Sequence, residues 1–140
     1  MIDNIQIAIR LITGAILGGL VGLEREKHNK KTAGFRTHII VCLGSTLIML
    51  TSLYLFELYV ARGVQVDPAR LAAGVITGIG FLGAGTIIRS RVSITGLTTA
   101  ASLWVVSGIG LAVGCGFYMA ACITTVIVLM TLHVLRKINI

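Results

Sequence analysis

The sequence predicts an all-α membrane protein, a bundle of about five transmembrane helices, and three observations carry that prediction. Hydrophobic residues make up 56% of the 140-residue chain, against ~45–50% in soluble domains even with glycine counted. Charged residues make up 12%, about half the usual share of ~25%. The charges sit in short clusters between long apolar runs, as topology signals do. A net charge of +7 raises the question of nucleic acid. The bases neither alternate with aromatics nor line one amphipathic face, and too little polar surface remains for a groove that tracks phosphates. No nucleic-acid partner is expected; the lipid bilayer is.

Residues 1–140 read as a single domain with helices near 5–23, 39–60, 69–88, 95–114 and 116–135, each close to the ~20 residues that span a hydrocarbon core. The first run lacks a basic leader and a small-residue cleavage site, so it is expected to be retained. It carries Gly14, Gly18 and Gly22 at every fourth position. The second run follows a basic loop. The third opens at Asp67-Pro68, which reads as N-cap and first helical residue, and holds Gly74, Gly78, Gly80, Gly83 and Gly85. The fourth and fifth runs are divided only by Gly114-Cys115-Gly116, a tight turn. Small residues four apart let helix backbones approach closely where lipid offers no hydrophobic drive. That serves packing within one chain or an interface between copies, and a homo-oligomer, most simply a dimer, is expected. Gly14, Ile16 and Gly18 are echoed by Gly74, Ile76 and Gly78, a faint repeat offset by two helices.

Nine bases fall on one side of the predicted membrane: Arg25, Lys27, Lys30, Lys31, Arg36, Arg89, Arg91, Arg136 and Lys137. The other side has Arg62 and Arg70, with Arg10 inside the first helix. The excess of positive charge on cytoplasmic loops then places the N-terminus outside and the C-terminus in the cytoplasm.

Chemistry has little to work with. Gly78-x-Gly80-x-x-Gly83 matches a dinucleotide fingerprint, but that motif needs an acid about 20 residues further on, and none follows Asp67. Cys42, Cys115 and Cys122 show no metal or disulfide spacing and read as packing residues. His28, His38 and His133 read as interfacial polar residues, with no nucleophile beside them, so no enzyme is expected. Any carboxylate site must come from Asp3, Glu24, Glu26, Glu57 and Asp67. Glu24 and Glu26 oppose the macrodipole at the end of helix one. They call for compensation from Arg36 or from the starts of helices two and four, either as a cluster that fixes the helix ends or as a gate or partner contact. At the opposite end, Arg70 calls for a carboxylate partner. Arg10 must snorkel or pair inside the bundle. Glu57 and Asp67 could give magnesium the one or two carboxylates it takes, or could simply neutralise those arginines.

Six ordered motifs run along nearly the whole chain: Leu23-Glu24-Arg25-Glu26, Ala33-Gly34-Phe35-Arg36-Thr37-His38, Leu43-Gly44-Ser45, Asp67-Pro68-x-Arg70, Gly78 to Gly85, and Gly96-Leu97-Thr98-Thr99-Ala100-Ala101-x-Leu103-Trp104. Together they resemble the membrane domain of the MgtC/SapB family. The resemblance implies a multi-pass protein of the bacterial inner membrane, linked to growth at low magnesium and to survival inside host cells. It also implies a regulatory action that includes the proton-translocating ATP synthase. Many relatives carry a soluble domain after the last helix, for which residues up to Ile140 leave no room. Gly74 stands where relatives often have glutamine. The functional candidates are therefore Glu24, Arg25, Glu26, Arg36, Thr37, Asp67 and Arg70. The expected function is a non-enzymatic role in magnesium homeostasis through helix–helix contacts. The alternative is an oligomeric cation channel or transporter with Glu57 and Asp67 at one mouth and Glu24 and Glu26 at the other.

Overall fold

A computed structural model of the chain describes residues 2–28, 33–89 and 93–137. Lys30, Lys31 and Arg91, counted above among the bases, lie outside the described residues, as do the side chains of His28, Arg136 and Lys137. The chain forms α1 (Asn4–His28), α2 (Phe35–Val60), α3 (Ala69–Thr86), a short hairpin of β1 (Ile88–Arg89) and β2 (Ile94–Thr95), α4 (Leu97–Cys115) and α5 (Tyr118–Lys137). Four of these, α1 to α4, are long and apolar enough to cross a membrane; the described apolar part of α5, Tyr118–Val134, is shorter.

The helices outrun the apolar segments that signal them. α1 continues to His28 and α2 begins at Phe35, although the sequence predicts an end near 23 and a start near 39. Apolar length marks the hydrocarbon layer, whereas the helix persists while its backbone groups find partners. Here the Glu26 carboxylate accepts the Phe35 N–H at 2.8 Å, so the end of α1 holds the start of α2. α3 stops at Thr86, and the residues predicted to continue it form the β1–β2 hairpin, with Ile88 opposite Thr95 and Arg89 opposite Ile94. β-branched residues suit that pairing. Gly96 closes the hairpin onto α4 at φ +91°, with its Cα so near the Thr86 carbonyl that no side chain would fit. At the far end Gly116 takes φ +82°, and the Gly116 and Phe117 N–H groups bond back to Val113 and Ala112, a Schellman stop.

The core is α2 held between glycine faces of α1 and α4. A Cβ on Gly18 would lie 2.6 Å from Cys42 Cβ, one on Gly22 2.8 Å from Phe35 Cα, and one on Gly114 2.6 Å from Met49 Cβ. Gly14 and Gly110 are as tightly covered, by Thr46 and by the Cys42 carbonyl. Around these contacts Leu17, Val21, Cys42, Val106, Ile109 and Val113 are buried together. α3 is different. A Cβ on Gly83 would stand 3.6 Å from Ala100 Cβ, but one on Gly74, Gly78, Gly80 or Gly85 would meet nothing within 4 Å. Those four positions, predicted to pack, stand open within the single chain. The repeat between Gly14–Gly18 and Gly74–Gly78 therefore does not extend to how the two helices pack.

Candidate functional site

Three motif segments distant in sequence meet at one end of the bundle: the end of α1, the start of α2 and the start of α4. Arg25 reaches from α1 to α4 and donates from Nη2 to Thr99 Oγ1 at 2.6 Å, while its Nε is buried without a partner. Arg25 lines a recess of about 320 Å³ with Ile94, Gly96, Leu97, Thr98 and Thr99. The N-cap residue of α4, Gly96, has no side chain to cap the helix, so the start of α4 and the guanidinium present positive charge together. The recess suits an acidic group of a partner.

Glu24 and Glu26 do not act as a pair. Glu26 Oε2 caps the N-terminus of α2 through Phe35, and a Cβ on Gly34 would come within 2.9 Å of that oxygen. Glu24 turns the other way and meets His133 of α5, Oε1 to Nδ1 at 3.3 Å. The expected compensation is thus divided between a helix N-terminus and a histidine. Arg36 and Thr37 are exposed on the first turn of α2, away from the packed interior.

The sequence reading places His38 at the membrane surface, and the structure corrects this. Because α2 starts four residues earlier than its apolar run, His38 is one turn inside the helix and fully buried. Its Nδ1 lies 2.7 Å from the Gly34 carbonyl and its Nε2 3.0 Å from Ser102 Oγ. A carbonyl only accepts, so Nδ1 carries a proton and donates. Ser102 also donates to the Thr99 carbonyl at 2.8 Å. Its single proton therefore serves either Thr99 or a neutral Nε2. Thr99 and Ser102, three apart on α4, tie Arg25 and His38 into one chain of contacts. The spacing of His38 four residues after Gly34 was the available signal for it.

The other end is held by Arg10, which donates from Nη1 to the Gly114 carbonyl at 2.7 Å. It thereby places a cation at the C-terminus of α4, where the helix dipole favours one. Arg10 pairs inside the bundle, with the backbone of α4. Glu57 lines a pocket of about 160 Å³ with residues that include Asn4 and Tyr54. Asp67 Oδ1 accepts the Ala69 N–H at 2.8 Å, and the cap position itself falls on Pro68, one residue later than predicted. Arg70 is exposed beside it. Among the described residues, no three His, Cys, Asp or Glu side chains gather as a metal site.

Fold and site define the class: an all-helical integral membrane protein in which polar motifs lock the helix ends and glycines set the helix spacing. Residues 11–140 match the MgtC family, and the chain belongs to that family. It is 42% identical over 135 residues to YhiD of Escherichia coli K12, covering 96% of this chain and 62% of that protein. It is 39% identical to Protein SapB of Bacillus subtilis, over 96% of this chain and 60% of SapB, and 36% identical to Protein MgtC of Salmonella typhimurium LT2, over 92% of this chain and 52% of MgtC. The chain thus spans little more than half the length of these relatives. No solved structure matches it.

Proposed function

We propose that this is a protein of the bacterial plasma membrane that supports magnesium homeostasis by contact with itself or with another membrane complex, and not by conducting ions. The magnesium link comes from the relatives, since the name of YhiD proposes a magnesium transporter. One structural observation carries the choice of mechanism: the small polar side chains of the interior are bonded to helix carbonyls and to one another. Thr46 bonds to the Cys42 and Gly110 carbonyls, Ser45 to Val41, Ser107 to Trp104, Thr125 to Ala121 and Ser52 to Pro68. With His38, Thr99 and Ser102 bonded as described, each serine, threonine and histidine buried among the described residues is engaged, and the buried atoms left without a partner, Arg10 Nε, Arg25 Nε and Tyr118 Oη, lie toward the two ends of the bundle. A hydrated cation path needs polar groups facing a lumen, and these face neighbouring helices.

The contact surface for a complex such as the proton-translocating ATP synthase is the Arg25 recess with exposed Arg36 on the first turn of α2. Arg36→Ala is the cleaner probe, because Arg25 also holds α1 to α4. Magnesium at the opposite end would have to draw on Glu57 and Asp67, and one Asp67 oxygen is already bonded to the Ala69 N–H.

Two measurements test the reading. The gene should restore growth at low magnesium to a bacterium lacking its own copy, and liposomes holding the purified protein should pass magnesium no faster than empty ones. Flux above the empty vesicles would overturn the mechanism in favour of a channel.

A further inference from the structure

The face of α3 turned away from Ile79 and Gly83 carries a pattern that no contact with another helix described above uses. Asp67, Arg70, Gly74, Gly78, Phe81 and Gly85 follow one another at intervals of three or four residues, and all six are exposed. The buried residues of α3, Ile79 and Gly83, lie on the opposite side. Phe81, at 83% exposure, is the most exposed large hydrophobic side chain among the described residues. It stands between two glycines with empty space above them. Gly74 and Gly78 also form one wall of an apolar groove of about 740 Å³ between α2 and α3, whose other wall includes Ile40, Gly44 and Ile48.

We infer that this face binds the same face of a second copy, with the two α3 helices parallel about a two-fold axis along the membrane normal. The argument is self-complementarity. A two-fold interface needs knob and hole on one surface, and here they alternate on one helix: Phe81 of each copy lies over Gly78 and Gly85 of the other. Charge agrees. In a parallel pair the ends of α3 meet at the same depth, so Asp67 of each copy faces Arg70 of the partner subunit. A foreign helix would have to supply that arrangement independently, whereas a second copy supplies it by symmetry. The area agrees as well. α3 has 18 residues and so is ~27 Å long, and half the side of a ~10 Å cylinder of that length is about 400 Å². α3 alone thus supplies about half of the ~800 Å² per partner of a standard stable interface, and the α2 wall of the groove adds to it.

The inference deepens the reading of a protein that works through helix contacts, and association in vesicles involves no magnesium. Its failure is thus separate from failure of the growth test. The full chain with Cys115→Ala and Cys122→Ala, reconstituted at several protein-to-lipid ratios, is oxidised after a single cysteine is introduced. Gly74→Cys and Phe81→Cys should cross-link to dimers. Met119→Cys, equally accessible on α5, should not. Gly78→Ile should lower the dimer fraction at least tenfold while leaving helix content unchanged, since a Cβ at that position meets nothing within 4 Å of its own chain. Arg70→Asp should weaken the dimer, and adding Asp67→Arg should restore it. A chain that stays monomeric at all ratios overturns the inference. So does cross-linking at Met119 equal to that at Phe81, or a stable complex of one copy with a different membrane protein.

Discussion

Gly18→Ala isolates the feature on which the fold depends. The new Cβ would stand 2.6 Å from Cys42 Cβ and 2.8 Å from the His38 carbonyl oxygen. Carbon atoms prefer about 3.5–4.0 Å, so α1 and α2 must separate by ~1 Å. Neither obstacle is the free end of a flexible chain: one is a Cβ and the other is backbone. The shift cannot remain local, because Gly14 and Gly22 hold the same two helices at the same close distance. Overpacking of this kind costs ~1–3 kcal/mol. A middle value of ~2 kcal/mol corresponds to about a 30-fold loss in the folding equilibrium. The matched control is Gly78→Ala, where a Cβ meets nothing within 4 Å and helix propensity should instead give back about 0.5–1 kcal/mol. Loss of helical signal during titration with SDS, in micelles dilute enough to keep the chain monomeric, measures both. Should Gly18→Ala unfold together with wild type, or the two variants shift alike, the account of α2 lying between glycine faces is wrong.

The hydrogen bonds at the helix ends give further expectations. Glu26→Ala removes the cap on Phe35 and should cost ~1 kcal/mol, seen as faster amide exchange at Phe35, whereas Glu26→Gln keeps an acceptor oxygen and should be nearly silent. His38→Ala leaves a cavity between α2 and α4 and removes the ring's bonds to the Gly34 carbonyl and Ser102 Oγ, although the backbone N–H of residue 38 still reaches that carbonyl; the loss should cost ~3 kcal/mol in the same SDS titration. Arg10→Ala removes the cation from the C-terminus of α4 and should cost up to ~2 kcal/mol, with Arg10→Lys recovering part of the loss because the charge returns without the guanidinium's geometry.

The order of the helices was legible because apolar length is a one-dimensional property, and each run could be counted directly. What hydropathy could not show was how far helix persists past the apolar run. That is settled by polar contacts such as Glu26 with Phe35, which join residues nine apart. The misplacement of His38 follows from the same cause, since a start at 39 leaves it in the loop and a start at Phe35 puts it in the core. Glu24, Arg25 and Glu26 were readable as a group needing partners. The partners, His133 and Thr99, lie 109 and 74 residues away, and no local pattern names them. The β1–β2 hairpin is two residues on each strand, too short to leave a periodic signal.

The glycines carry the remaining lesson, because the same spacing has two physical outcomes in one chain. On α1 and α4 the missing side chains are filled by α2, and the close contact offsets what glycine loses as a helix former. On α3, Gly74, Gly78, Gly80 and Gly85 receive no such return from their own chain, and at ~0.5–1 kcal/mol each relative to alanine they leave that helix weaker than its neighbours by roughly 2–4 kcal/mol. α3 is also the least enclosed of the four long apolar helices, joined to the rest chiefly through Ile79, Gly83 against Ala100, and the Ser52 bond to Pro68 at its start. A helix built this way gains most from an added surface, since covering Gly74, Gly78 and Gly85, which share one face, would recover packing at three of the four open glycines. The bundle of α1, α2 and α4 is complete as it stands; α3 is the element whose energetics call for something beyond it.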